Sequence, residues 1–362
     1  SGGSDDGSRE KPYQSLSSAV TDKCAVDDSV DRIFDIASGA YTLSKTITKD
    51  AGVSQSVTFR GRGTSTILQA GASFAAGKAS DCLKLTGFEN GKVEDVMIRY
   101  CKYGLRVACA DFTLRRCAFT QCGCDATATN FDNSLSISAQ LTAYSAATDG
   151  GALRLDSATG FVRVEDNFVS ECNRGLRMGD SVKGGSVKRN HVQKTLQAGI
   201  YCSASTYTGS TGVQNFHVSD NQVISACNGG ILIIGGRDNI VSSNIIKGSW
   251  NSPLMCWHCV QLTLSDNVME KSNFSTYNAQ GILGDSWSGG IMLDGDDDIY
   301  PSASFQAKIT GNIISEPSNR QSRSNLCDSN CQRPIFGRCR FNSWSVLPGQ
   351  PEPRCSSTRK KR

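Results

Sequence analysis

The residues with the clearest capacity for chemistry are arginines that recur at one position of a short repeated segment. GLRV, ALRL, GLRM and GIYC each place a basic or aromatic side chain third: Arg106, Arg154, Arg177 and Tyr201. On extended strands these side chains share one face, which could bind carboxylates or sulfates by paired hydrogen bonds while the tyrosine stacks on a sugar ring. Asp156 and Asp180 follow closely, so Arg154, Asp156, Arg177 and Asp180 are the catalytic candidates if this face also carries chemistry.

The same residues have a simpler interpretation as a solvated ladder of charges. Arg and Asp on neighbouring strands pair across a sheet surface. Exposed ion pairs of this kind contribute little to the stability of the fold. The sequence leaves both interpretations open, a binding face for a polysaccharide or glycan surface and a solvated ladder.

A second group of chemically capable residues is the acidic segment LDGDDDIY, which contains Asp294, Asp296, Asp297 and Asp298. Ca²⁺ binds six to eight oxygen ligands, so these carboxylates are a candidate for a weak calcium site. Their spacing does not match an EF-hand loop, and an exposed acidic loop is the alternative. No other cofactor is predicted.

Sixteen cysteines in 362 residues favour an oxidising compartment and a secreted or extracellular protein. Buried free thiols are the alternative, since Cys packs as a small apolar residue. For Cys256 and Cys259 in CWHC, a local disulfide or a pair of neighbouring thiols is favoured over half of a zinc site. Asn273 begins a single glycosylation sequon. The disulfide candidates are Cys101, Cys122, Cys256, Cys259, Cys327, Cys331, Cys339 and Cys355.

Charge is distributed unevenly along the chain. Residues 317–362 contain ten basic and two acidic residues, hence +8, which leaves −4 for the rest of a chain of net +4. The chain ends in four basic residues, so Arg362 is either a processing site or part of a docking tail. No nucleic-acid motif accompanies the basic residues, which disfavours nucleic-acid binding. The sequence contains no run of 18 apolar residues, so no membrane span is predicted.

A repeated asparagine indicates the structural elements that position these residues. Asn167, Asn190, Asn221, Asn244, Asn267 and Asn312 are separated by 23, 31, 23, 23 and 45 residues, the last close to twice the usual step. Each Asn lies between short alternating apolar segments. Such a period predicts a solenoid of β-coils, with Asn in a left-handed corner and its amide bonded to the next coil. The alignment puts Val96 and Cys117 at the same position, and Cys101 beside Cys122.

The Asn repeat, and the segment SGAYTL followed by a strand that ends in GRG, resemble the superfamily of right-handed parallel β-helices. That superfamily includes pectate lyases, polygalacturonases, alginate epimerases and phage tailspikes, and the resemblance covers roughly residues 30–315. It implies that substrate would lie along the strand that carries the arginines. The chain departs from the family in lacking the Asn-Thr-Asp, Gly-His-Gly and Arg-x-Lys signatures of polygalacturonases and the Tyr-Gly-x-Asp-Pro-His signature of epimerases.

We therefore expect an all-β protein in three parts: an extended arm (1–23), a single-stranded right-handed parallel β-helix (24–316) and a Cys/Arg/Pro-rich cap or docking tail (317–362). The favoured function is a non-catalytic extracellular β-helix that serves as a structural, adhesion or assembly component, joined to other proteins through the arm and tail. The alternative is a polysaccharide lyase, hydrolase or epimerase acting on an acidic, uronate-type glycan.

Overall fold

The computed structural model describes residues 13, 15–24, 29–49, 54–124, 150–179, 182–203, 213–226, 229–249, 252–270, 291–294 and 307–315. Within these ranges the chain forms two helices and 28 strands. Their bounds, in chain order, are α1 Leu16–Cys24, β1 Arg32–Asp35, β2 Gly39–Thr42, β3 Lys45–Thr48, β4 Ser56–Gln69, α2 Phe74–Gly77, β5 Leu83–Thr86, β6 Asn90–Cys101, β7 Tyr103–Ala108, β8 Asp111–Arg115, β9 Ala118–Cys122, β10 Gly151–Ser157, β11 Val162–Glu165, β12 Phe168–Cys172, β13 Leu176–Met178, β14 Gly185–Lys188, β15 His191–Thr195, β16 Ile200–Ser203, β17 Val213–Gln214, β18 Phe216–Ser219, β19 Gln222–Ala226, β20 Ile231–Arg237, β21 Ile240–Ser242, β22 Ile245–Lys247, β23 Leu254–Val260, β24 Leu262–Ser265, β25 Val268–Glu270, β26 Ile291–Asp294, β27 Ala307–Thr310 and β28 Ile313–Ser315.

The strands stack as a parallel β-helix, as the repeat predicts. One strand of each coil joins a ten-stranded sheet in the order β26-β23-β20-β16-β13-β10-β7-β5-β3, with β17 beside β20; we term it the front sheet. The other two strands of each coil join an 18-stranded sheet whose two ladders meet through the long strands β4 and β6. Each coil thus pairs with the coils on either side of it.

The core lies inside the coils and is filled by aliphatic columns. In the front sheet one inward column consists of residues that are partners from strand to strand and have no exposed surface: Leu83, Leu105, Leu153, Leu176, Ile200, Ile231 and Leu254. Burying each such side chain stabilises the fold by roughly 1.5–3 kcal/mol. Because alternate residues point inward, the residue between two core residues must point out of the coil.

The predicted asparagine ladder forms inside one corner. The Nδ2 of Asn190 donates to Oδ1 of Asn221 at 2.9 Å and to the Val164 carbonyl at 2.8 Å, and the same bonds recur along the column. The backbone N–H of Cys117 donates to Oδ1 of Asn167 at 2.9 Å, which places Cys117 at the ladder position as expected. Each amide is therefore satisfied without water.

The conformation expected for the ladder asparagines was wrong. The left-handed residue is the one before each ladder position, for example Asp166 with φ 57° and Asp220 with φ 57°. That residue makes the bend, so the following Asn can keep an ordinary backbone and turn its side chain into the corner.

The longest step of the asparagine repeat spans a single coil. Asn267 donates directly to Asn312 at 2.8 Å, so the 45-residue step is a single coil with a long insertion and not two coils. The front sheet also contains β23, whose segment lacks the glycine that precedes most of the other repeated segments.

Near the N-terminus, Leu16–Cys24 forms helix α1 where an extended segment was expected. Its apolar residues fall on one helical face, and Leu16, Val20 and Cys24 join the hydrophobic core of the coils. Packing of that face gives a short polar-looking segment a regular structure.

Candidate functional site

The front sheet carries a column of basic side chains on its outer surface. Its members are direct partners from β5 to β16, and we term them the front column: Lys84, Arg106, Arg154, Arg177 and Tyr201. Leu105 and Val107 on either side of Arg106 are fully buried, so the alternation of the strand turns the basic side chain outward. The structure brings together the four residues named from the sequence and adds Lys84, whose segment lacks the preceding glycine that guides the alignment.

Asp156 lies between two arginines of the front column. Its Oδ2 accepts a hydrogen bond from Nε of Arg106 at 2.6 Å, and its Oδ1 accepts one from Nε of Arg154 at 2.5 Å. A register shift between Leu155 and Ser157 places Asp156 at an irregularity of the strand. Both carboxylate oxygens are therefore engaged, and the three side chains form one partly buried cluster.

Arg177 differs from these two arginines. Its guanidinium carbon lies 5.5 Å from the centre of the Tyr201 ring, a cation–π geometry. Its Nε is buried, and no acceptor for it exists among the residues that the structure describes. A guanidinium donor without an acceptor is unfavourable unless a ligand supplies one.

Three further residues at the start of the strands join the face, and sequence reasoning missed them. The Nη1 atoms of Arg154 and Arg174 each lie 3.5 Å from the hydroxyl of Tyr103, which is 1% exposed. Nε of Arg174 donates to Oε1 of Gln197 at 2.6 Å. Burial opposes the charge on Arg154, but hydrogen bonds with Tyr103 and Asp156 outweigh it and raise the pKa of that guanidinium. These residues precede the repeated segment, so an alignment that begins at its first residue excludes them.

The outward positions become apolar in the coils that follow. Leu232 and Met255 continue the register beyond Tyr201, and both are buried, at 5% and 1% exposure. They form a small cluster with Ala198 and Ile234, against which Tyr201 and Trp257 pack. The cationic part of the front sheet therefore ends at an apolar boundary beside Tyr201.

A second charged column runs along the left-handed corner, and its signs alternate. Its members are Asp95, Arg116, Asp166 and Arg189, here termed the corner column. Arg116 binds both oxygens of Asp95 at 2.7 and 2.6 Å, and Arg189 binds both oxygens of Asp166 at 2.7 and 3.1 Å. The hydrogen bonds from Arg116 and Arg189 lower the pKa of Asp95 and of Asp166 respectively. The corner column thus neutralises itself.

The described cysteines pack inside the coils, and their pairing as disulfides stays a prediction. All eleven described cysteines are buried free thiols. The Sγ atoms of Cys101 and Cys122 lie 3.3 Å apart. The Cys259 thiol lies close to that of Cys256 and donates to the Ile233 and Trp257 carbonyls at 3.7 and 3.4 Å. Inward positions of adjacent strands bring these thiols into contact because the core needs small apolar side chains there.

Several predicted site residues lie outside the described residues, and they are Asp180, Asp296, Asp297, Asp298, Asn273, Cys327, Cys331, Cys339, Cys355 and Arg362. Asp294 ends β26 in register with Trp257, and its side chain also lies outside them. Over the described ranges, no group of three or more His, Cys, Asp or Glu could hold a metal ion. Neither described helix has the length and apolar character needed to cross a membrane.

Comparison with known proteins identifies the class. The family model described as "Right handed beta helix region" matches residues 65–246, half of the chain. The chain therefore belongs to the right-handed β-helix family, as its asparagine corner indicates. No curated protein sequence matches it.

Solved structures similar to the chain include three carbohydrate-related proteins. The A-module of mannuronan C-5 epimerase AlgE6 from Azotobacter vinelandii is 10% identical, with 83% of this chain and 94% of that chain covered and a TM-score of 0.41. The GH136 lacto-N-biosidase from Eubacterium ramulus is 8% identical, with coverages of 86% and 66% and a TM-score of 0.43. The PL6 family polysaccharide lyase Pedsa3628 from Pseudopedobacter saltans is 11% identical, with coverages of 84% and 93% and a TM-score of 0.30.

Proposed function

We propose that this protein is a non-catalytic, extracellular β-helix that binds an acidic glycan along the front column and serves as a structural, adhesion or assembly component. The observation that supports the proposal is the sign of the front column. Lys84, Arg106, Arg154 and Arg177 occupy successive strands, so like charges lie about 4.8 Å apart along the helix. Like charges directly opposite one another destabilise a sheet, and an anionic polymer along the column would relieve that repulsion.

The state of Asp156 favours binding over catalysis. A general base must direct an oxygen lone pair at the proton that it removes. Both oxygens of Asp156 instead accept hydrogen bonds from arginines. Asp156 therefore holds Arg106 and Arg154 in place, which pre-organises their remaining N–H groups for a ligand.

Arg177 and Tyr201 supply the strongest part of the proposed binding face. The guanidinium of Arg177 has an unused buried donor among the described residues, and a carboxylate or sulfate could accept from it with charge assistance. Tyr201 offers an aromatic surface for a sugar ring next to that anion. The apolar boundary formed by Leu232 and Met255 would stop the anionic contacts here. The extracellular location rests on the sequence alone, on its cysteine content and its sequon.

The decisive experiment compares polygalacturonate with its methyl ester, because esterification removes the charge and keeps the sugar. We expect the protein to bind polygalacturonate, to bind the ester weakly, and to lose affinity as salt screens the charges. Incubation with either polymer should produce no new reducing ends and no unsaturated product. Equal affinity for both polymers, or for neither, would contradict the proposal. Turnover would instead make the protein a polysaccharide lyase or hydrolase.

A further inference from the structure

The inner side of one corner holds sulfur in three consecutive coils. Cys101, Cys122 and Cys172 end β6, β9 and β12, and each has no exposed surface. The preceding residues are left-handed, with φ values of 56°, 51° and 56° at Tyr100, Gln121 and Glu171. The same bend therefore points each thiol to the same place in the core. We term these three residues the thiol column.

The thiols are in contact along the column. Cys101 and Cys122 are paired in register, and the Cys101 thiol donates to Sγ of Cys122 at 3.3 Å. On the other side, Cys172 lies on the adjacent coil, close enough to Cys122 for the two thiols to interact. Backbone bonds hold the alignment, since Gly123 N–H donates to the Cys101 carbonyl at 2.8 Å and Asn173 N–H to the Cys122 carbonyl at 2.9 Å. Cys122 thus has a thiol partner on each side.

Packing alone does not require sulfur at this place. The next two coils fill the same position with Thr195 and Ala226, so any small side chain satisfies the corner. Adjacent strands put paired Cα atoms about 4.8 Å apart, which falls within the roughly 4.4–6.8 Å that a disulfide spans. The thiol column therefore has the geometry for a covalent bond that the neighbouring coils cannot form.

We propose that the thiol column is an oxidation site at which Cys122 is the shared partner of two competing disulfides, and that Cys101–Cys122 forms while Cys172 remains a thiol. The separation along the chain favours this choice. Cys101 and Cys122 are 21 residues apart, whereas Cys122 and Cys172 are 50 apart. Closing the shorter loop costs less conformational entropy. The inference is independent of glycan binding.

The disulfide forms while the chain folds, before the thiols are buried. Burial raises the pKa of Cys101 to about 11, so the folded thiol stays protonated and is neither nucleophilic nor accessible. During folding with oxidised glutathione, one cysteine thiolate attacks the glutathione disulfide and releases a glutathione thiolate. The second cysteine then loses its proton to solvent and attacks the mixed disulfide, which releases the second glutathione. The two cysteines lose two electrons, and the glutathione disulfide gains them.

The test is to refold the reduced protein in a glutathione redox buffer, alkylate free thiols after denaturation, and map peptides without reduction. We expect a Cys101–Cys122 linkage in the wild type. Cys101→Ala should move the linkage to Cys122–Cys172, and Cys122→Ala should abolish both. Cys117→Ala is the matched control, because that buried thiol contacts the Val93 and Arg115 carbonyls at 3.6 and 3.4 Å; it should keep the wild-type linkage.

A second readout covers variants that fold poorly. The melting temperature should be higher for wild type refolded with oxidised glutathione than for wild type refolded with reductant, and Cys117→Ala should retain that difference. Recovery of all three cysteines of the wild type as free thiols would overturn the proposal. So would a linkage to the nearby buried Cys82.

Discussion

The corner column and the front column are both stacks of charged residues on adjacent coils, but the signs of their charges are arranged differently. In the corner column Asp95, Arg116, Asp166 and Arg189 alternate in sign and pair in bidentate fashion. In the front column four basic residues follow one another, and the described part of that face offers Asp156 as their carboxylate.

The two arrangements of charge indicate different roles for the two columns. A stack of coils can hold charges on its surface without a ligand when signs alternate, because each charge meets an opposite one at about the coil spacing. The corner column shows that this chain uses that arrangement. The front column departs from it at the place where Arg177 also has a buried donor without a described acceptor. The corner column therefore contributes to stability, and the contrast supports our proposal that the front column serves in recognition.

Neutralising one arginine from each column tests this assignment most directly. Arg177→Gln should weaken binding to polygalacturonate roughly tenfold to a hundredfold, because a charge-assisted hydrogen bond contributes about 1.5–3 kcal/mol. Arg189→Gln removes the same charge from the corner column and should leave affinity almost unchanged. Titration calorimetry at fixed ionic strength measures both. Equal losses in the two variants would mean that net charge, and not the front column, determines binding.

The asparagine ladder provides the internal reference for what a structural column contributes. Asn221→Ala should lower the free energy of unfolding by about 1–3 kcal/mol, because it leaves buried groups of neighbouring coils without partners. These groups include Nδ2 of Asn190 and Oδ1 of Asn244, each now 2.9 Å from an amide atom of Asn221. Thr263→Ala, on an outward position of β24, is the control for denaturant unfolding. If the two substitutions lower the free energy of unfolding equally, the ladder does not stabilise the stack of coils as inferred.

The contribution of the corner column to stability should depend on pH. Because Arg116 and Arg189 hold the pKa values of Asp95 and Asp166 below 3.8, their stabilising contribution is fully present above that pH. It is lost as pH falls through the lowered pKa, because the folded state must then take up protons. The difference in melting temperature between wild type and Asp166→Asn should therefore be constant near neutral pH and shrink as the pH falls below 3.8. We expect this effect to be small, since both carboxylates are partly exposed. A difference that does not vary with pH would contradict it.

Much of the fold is predictable because a solenoid repeats its local interactions. The asparagine steps indicate the stack, and the repeated segment is enough to put Arg106, Arg154, Arg177 and Tyr201 on one face. One error comes from the same periodic reasoning. It assigns the bend to the asparagines, whereas the residues before them have the positive φ values. The length of a step also does not show how many coils it spans, since Asn267 bonds directly to Asn312 across 45 residues.

The amino-acid pattern is sufficient to tell which residues point inward and which point outward, because that alternation is a property of an extended chain with period two. Which outward residues satisfy one another depends on the three-dimensional arrangement of the coils. Asp156 reaches two arginines from an irregular strand, Tyr103 lies between Arg154 and Arg174, and Nε of Arg177 meets no described acceptor. Those relations depend on side-chain reach across coils separated by up to 71 residues, and a pattern along one chain contains no measure of that distance.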